Sequence, residues 1–310
     1  MHRMGKVAII GCGFVGSTAA YAMMIRKTAS EIAVIDINRE KARGEAMDLE
    51  HGIQFVPGSS ISFGDSYELC KGADVVVITA GVAQKKGETR LQLVGRNAKI
   101  FKEMIPAITE HNKDCVILIV TNPVDIMTAL TLRYSGFPKE RVFGTGTTLD
   151  SARLRYYLGE EFKVNPQSVH AYMMGEHGDT EFPVWSKASI GGQDLQDMEG
   201  YSKERMDEIY KRTKNAAYEI ISSKGATYYA IGLVITEIVD SIINNKNKIF
   251  PVSTMLDNYY DEGGVCLSMP CVVGKEGIKR RIQLPLSEGE QECLHKSAGK
   301  LREVLESVED

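Results

Sequence analysis

The feature that most constrains this 310-residue chain is the alternation of short apolar runs with helical patterns through its first half. Residues 6–10, 31–35, 74–79, 115–121 and 141–143 are rich in valine and isoleucine and lack polar alternation, as strands of a parallel sheet buried on both faces do. Helical patterns fill residues 15–27, 39–49, 91–111 and 124–134 between them. Parallel neighbours need a crossover, so this order predicts an α/β fold with a doubly wound parallel sheet. The second half changes character. It offers a helix over 149–158, strands over 168–174 and 265–273, two long helices flanking Gly225 and a charged helix over 287–307. Strands and helices no longer alternate there, which predicts an α+β domain. The boundary is placed at residue 145, giving domains 1–145 and 146–310, and no low-complexity linker separates them.

Composition removes several classes of function. The 37 basic and 41 acidic residues give a net charge of −4 without any lysine or arginine run, so nucleic acid and anionic membranes are poor partners. Six cysteines are scattered with no CxxC pair, and there is no HExxH. Buried thiols in a reducing compartment are expected, with no disulfide framework and no metal site. Residues 7–25 are uncharged over the length of a membrane span, but Gly11, Gly13, Gly16, Ser17 and Thr18 interrupt them where a strand would turn into a helix. The expected localisation is cytoplasmic.

Those interruptions carry the first chemical signal. Gly11, Gly13 and Gly16 form a GxGxxG that follows a strand, opens a helix and is trailed by a second strand ending in Asp36, twenty residues after Gly16. This is the Rossmann context. The first glycine permits the turn, the second lets backbone approach a pyrophosphate, and the third lets helix and strand pack. Free N–H groups at the helix start favour phosphate. Asp36 can accept from ribose hydroxyls and would repel a 2′-phosphate, so NAD is expected over NADP; a strand-end turn is its alternative role.

Other polar segments sit at strand ends, where ligands collect in an open parallel sheet. Residues 79–90 could form a lid carrying Gln84 and Arg90, with Gly81 and Gly87 as hinges, or a plain surface loop. Asn122, in TNPVD, could cap the next helix or meet a ligand. In GTGTTLDSARLR, Asp150 and Arg153 share a helix face while Arg155 points away; Thr147 with Asp150 fits a capping box. His177 lies between glycines in GEHGD, as an exposed loop residue or a catalyst.

Taken together with KGATYYAIG and PVSTML, these motifs make the chain resemble the NAD-dependent lactate and malate dehydrogenase family along nearly its whole length, on the side of its bacterial L-lactate members. The resemblance implies reversible hydride transfer between NADH and pyruvate, giving L-lactate. It implies His177 as proton donor held by Asp150, Arg153 gripping the substrate carboxylate and Arg90 polarising the ketone. Gln84, Asn122 and Thr227 would also line the substrate pocket. Around the cofactor it implies Gly11, Gly13, Phe14, Val15, Gly16, Asp36, Thr79, Ala80, Gly81, Asn122 and Ile231. Malate dehydrogenases carry arginine where this chain has Gln84, and a neutral amide leaves a second substrate carboxylate unmatched. The resemblance further implies a homotetramer activated by fructose 1,6-bisphosphate through Arg155 and His170. A malate or other L-2-hydroxy acid dehydrogenase, and a non-catalytic NAD-binding protein, are the alternatives.

Overall fold

In a computed structural model, residues 5–56, 58–82 and 90–309 are described, with the side chains of residues 90, 91 and 309 excepted. The first half runs β1 (Lys6–Ile10), α1 (Phe14–Arg26), β2 (Glu31–Ile35), α2 (Arg39–Gly52), β3 (Ser60–Gly64), β4 (Val75–Ile78), α3 (Arg90–His111), β5 (Val116–Ile119), α4 (Val124–Ser135), β6 (Val142–Gly144) and α5 (Thr148–Glu161). Short strands follow: β7 (Val169–His170), β8 (Met173–Met174), β9 (Phe182–Pro183), β10 (Ser189–Ile190) and β11 (Gln193–Asp194). Then come α6 (Lys203–Lys224), α7 (Tyr229–Ile243), β12 (Lys248–Met255), β13 (Cys266–Gly274), β14 (Gly277–Arg281) and α8 (Glu288–Glu309).

β1, β2, β4 and β5 pair in parallel, and their valines and isoleucines are almost completely buried because helices cover both faces. The main sheet has the order β14-β13-β12-β6-β5-β4-β1-β2-β3. The chain winds from β1 outward to β3 and then returns to β4 on the other side of β1. The strand order therefore reverses between β1 and β4, which opens a crevice beyond their carboxyl ends. Gly11 and the segment from Thr79 to Gly81 stand there.

The second half is joined to the same sheet. β12 meets β6 antiparallel at Ser253 opposite Gly144, and β13 and β14 extend the layer. A smaller core forms between α5 and α6 from Leu154, Leu158, Val169, Met173, Ile190, Met206 and Ile209. The six cysteines are free; five are buried, and Cys293 is half-buried. Among the described residues no helix is long and apolar enough to cross a membrane.

Three expectations are corrected. The strand expected over 168–174 is two strands in different sheets, β7 against β10 and β8 against β9. The capping box at the start of α5 does not form. Thr147 Oγ1 instead donates to Met173 O at 2.6 Å, and Asp150 is taken by other partners. β3, β12 and β14 were not anticipated: β3 alternates serine with apolar residues and ends in glycine, and β12 contains Pro251. That proline stands opposite Pro270 of β13, and its carbonyl accepts from Thr148 Oγ1 at 3.1 Å.

Candidate active site

At the crevice, Gly11 has φ +100° and a Cβ there would lie 2.7 Å from Ala80 N, so turn and close approach both demand glycine. A Cβ on Gly16 would lie 2.0 Å from Gly11 O, which lets α1 close onto the loop. Gly13 differs: a Cβ there would meet nothing within 4 Å. It caps α1 without a side-chain hydrogen bond, and the first turn of α1 carries no acid. Open space before uncapped N–H groups suits a dinucleotide pyrophosphate.

Asp36 Oδ2 accepts from Cys12 N at 2.8 Å and Oδ1 from Asn38 N at 2.9 Å, fixing this carboxylate beside the loop. Thr79 Oγ1 donates to Gly11 O at 2.9 Å, and Thr79 N and Ala80 N both donate to Ile10 O. These two residues buttress the turn from below. A Cβ on Gly81 would lie 2.4 Å from Thr121 Cγ2, and Val82 N donates to Asn97 Oδ1. Gly81 is thus a packing contact rather than a free hinge. Phe14 is exposed and stacks on Tyr228 at 5.1 Å, while Val15 and Ile231 pack half-buried against the core. The residues expected around the cofactor from Gly11 to Asp36 therefore gather at one place.

The second cluster lies where β6 and β8 end. Asp150, in the first turn of α5, is buried; its Oδ2 meets His177 Nδ1 at 2.7 Å and its Oδ1 accepts from Arg153 NH1 at 2.9 Å. Arg153 and His177, 24 positions apart in sequence, thus share one carboxylate. The charges act on each other. Burial alone pushes an aspartate pKa up, but His177 and Arg153 outweigh it and hold Asp150 below the ordinary value. Burial pulls the imidazole down, yet the Asp150 charge and hydrogen bond prevail and raise His177 to about 9. The ring is therefore protonated at neutral pH with Nε2 as its remaining donor.

The loop bearing His177 is anchored from several sides. Gly175, at φ +91°, bridges to Ser268, and a Cβ there would lie 2.6 Å from Ser297 Oγ of α8. Glu176 N donates to Ser297 Oγ, and Lys300 pairs with the buried Glu176. Asp125 of α4 is 2% exposed and accepts from His177 N at 2.8 Å and from Ser253 Oγ at 2.6 Å; burial raises its pKa to about 6. Asp125 and Ser297 were missed from sequence. Nothing in their spacing foretells a contact across 52 or 121 positions.

Glu181 was missed as well, although it stands only two residues beyond the GEHGD motif. It is 5% exposed, and its ligating atoms, those of Asp150 and those of His177 lie within 4.8 Å of one another. Such a trio could hold a metal ion, but Asp150 is committed to His177 and Arg153, whose charge opposes a cation.

Asn122 has an exposed side chain and a backbone oxygen that accepts from Asn97 Nδ2; Pro123, not Asn122, caps α4. Thr227 is half-buried just before α7. Gln84, Gly87 and the Arg90 side chain lie outside the described residues. Arg155 points off the catalytic face: its Nε donates to Ala171 O at 2.9 Å, and its guanidinium lies 4.9 Å above the Tyr172 ring. With His170 it lines a separate cavity of about 920 Å³.

The likeness to known proteins agrees with this geometry. Residues 5–144 match the sequence model of the lactate/malate dehydrogenase NAD binding domain, and residues 147–310 that of the family's alpha/beta C-terminal domain. An L-lactate dehydrogenase of Acetivibrio thermocellus is 49% identical over 98% of this chain and 97% of its own length. One from Clostridium botulinum is 47% identical over 98% and 96%. A lactate dehydrogenase enzyme from a Medee basin deep-sea metagenome library superposes with TM-score 0.96 at 43% identity, covering 99% of this chain and all of that one. The minor L-lactate dehydrogenase of Enterococcus mundtii, in a ligands-bound form, gives 0.96 at 41% over 99% of each chain. Two family models that together span nearly the whole chain, and relatives at 41–49% identity over nearly its full length, show that the chain belongs to the lactate/malate dehydrogenase family, with NAD as its cofactor.

Proposed function

We propose that this chain is an L-lactate dehydrogenase, interconverting pyruvate and L-lactate. The observation that carries the reading is the sharing of Asp150 between His177 and Arg153, because it sets a protonated imidazole and a carboxylate-binding guanidinium on one pocket. NAD, when bound, supplies or accepts the hydride. Arg153 takes the substrate carboxylate in a planar two-point contact that orients the keto acid. His177 Nε2 gives its proton to the ketone oxygen in reduction and removes it from the alcohol in oxidation, with Asp150 holding ring and charge in place. Arg90 polarises the ketone and stabilises the charge developing on its oxygen. Asn122 and Thr227 complete the pocket, and Ile231 offers an apolar face to the nicotinamide. NADH oxidation with a panel of 2-oxo acids tests this: pyruvate should give the highest kcat/KM, and a preference for oxaloacetate would replace lactate by malate.

Gln84 carries the choice of acid. A neutral side chain leaves the second carboxylate of oxaloacetate without a cation in a water-poor site, a cost of several kcal/mol, on the order of 2–5. Gln84→Arg should shift preference toward oxaloacetate, measured as the ratio of kcat/KM values; an unchanged ratio would remove Gln84 from specificity.

Activation by fructose 1,6-bisphosphate is part of the same reading. Arg155 and His170 line one cavity with Arg26, Lys248 and Glu237; Glu237 pairs with both Arg26 and Lys248, which leaves the set net positive and suited to phosphates. Added sugar bisphosphate should lower the apparent KM for pyruvate; superimposable saturation curves with and without it would refute this. Exposed apolar side chains on α1 and α7, Tyr21, Ile25 and Leu233, support a homotetramer, testable by sedimentation. Buried thiols, such as Cys12 and Cys70 with pKa pushed to about 12 by burial, suit a cytoplasmic enzyme.

A further inference from the structure

Glu181 is an anomaly in this pocket. It is a carboxyl at 5% exposure among charged groups, and no hydrogen bond among the described residues fixes its oxygens. Its backbone, by contrast, is pinned. Tyr210 OH of α6 donates to Glu181 O at 2.6 Å, Glu181 N donates to Gly178 O, and β9 begins at the next residue. The side chain is therefore held facing Asp150 and His177, within the 4.8 Å cluster, and beside Arg153.

We propose that Glu181 is a specificity-determining residue of the substrate pocket: its neutral carboxyl admits a monocarboxylate to Arg153, and its ionised form expels one. The inference rests on the lactate reading above.

The charges that face this group come from every neighbouring element. Asp150 and Arg153 face it from α5 and His177 from the catalytic loop. Asp125 of α4 stands behind His177, and Lys214 and Tyr210 face it from α6, with Cys293 of α8 next to Tyr210. Burial is the largest influence and the Asp150 charge reinforces it. Together they raise the carboxyl to about 9 against the opposing pull of His177, Arg153 and Lys214. At neutral pH the inner cluster then holds Asp150 as anion, Arg153 and His177 as cations, and Glu181 neutral. One positive charge is left over for one substrate carboxylate. Ionising Glu181 cancels it, and in the neutral-imidazole state that lactate binds it leaves the cluster net negative.

Lactate oxidation isolates this effect, because His177 and Glu181 act on it in opposite directions. Lactate binds to the neutral imidazole, so loss of the His177 proton favours it. A rise in lactate KM with pH must come from a new anion beside Arg153. The experiment measures kcat and KM for L-lactate with saturating NAD between about pH 7 and pH 10.5 in the wild type, Glu181→Gln and Glu181→Asp.

In the wild type the KM should climb about tenfold per pH unit once Glu181 ionises, with kcat changing much less. Glu181→Gln should flatten the climb, and Glu181→Asp should restore it. A wild-type KM that stays flat, or a climb of equal size in Glu181→Gln, overturns the inference. The wild-type profile decides it alone should a variant fail to fold. Absence of any turnover of lactate would instead sink the proposed function, so the two failures are distinguishable.

Discussion

Replacing Asp150 by asparagine removes the charge that raises His177 while preserving the size of the side chain. The structure sets the magnitude. His177 is raised to about 9 from an ordinary 6.5, worth about 3 kcal/mol of preference for the protonated ring. Without the carboxylate, burial, the largest influence on the imidazole, is opposed only by the smaller pull of Glu181 and Asp125, and the pKa should fall to about 6.5 or below. At pH 7.5 no more than about a tenth of the enzyme then holds the proton that pyruvate reduction consumes. The kcat/KM for pyruvate should fall at least about tenfold at that pH from protonation alone. The alkaline limb of its pH profile should move from near 9 to 6.5 or lower. Following NADH absorbance from about pH 5.5 to 10 in both proteins measures this. Arg153 also loses a partner, which lowers the height of the profile but leaves the position of the limb, so the limb is the diagnostic. An alkaline limb still near pH 9 in Asp150→Asn would refute the reasoning. Stability follows the same linkage. A group whose pKa is raised on folding contributes fully below its unfolded value, and the contribution is lost as pH rises through the folded one. The destabilisation of Asp150→Asn should therefore be larger at pH 6 than at pH 10, by up to about 3 kcal/mol.

The second and third glycines of the cofactor loop should separate folding from binding. Gly13→Ala meets no atom within 4 Å, so its Tm should match the wild type while the NADH Kd, read by fluorescence, rises at least about tenfold. Gly16→Ala places a methyl 2.0 Å from Gly11 O and should lower Tm as well; a wild-type Tm would refute the packing account. Arg153→Lys keeps the charge but loses the planar pair of hydrogen bonds, so pyruvate KM should rise roughly 30- to 150-fold, about 2–3 kcal/mol, and an unchanged KM would dismiss the two-point contact. Arg155→Gln should abolish any fall in pyruvate KM caused by fructose 1,6-bisphosphate, and a full response in that variant would move the effector site elsewhere.

Local pattern alone determined most of the first half of this fold, the serine-bearing β3 excepted. β1, β2, β4 and β5 read as strands because a parallel sheet covered by helices demands unbroken runs such as Val75–Ile78, and the glycine loop read as a cofactor turn because strand, turn and helix are neighbours in sequence. Spacing on one helix also placed Asp150 and Arg153 together and sent Arg155 elsewhere, as α5 does. Tertiary structure decided the remainder. Whether β12 is a strand depends on β6 and β13 lying beside it, despite Pro251. Whether Thr147 caps α5 depends on Met173 O being closer at hand. The contact of Asp125 with the His177 backbone and the entry of Glu181 into the pocket are likewise set by chain folding across tens of residues. Hydrogen bonding and desolvation depend on what surrounds a group in space, and periodicity records only which face of its own element a residue occupies.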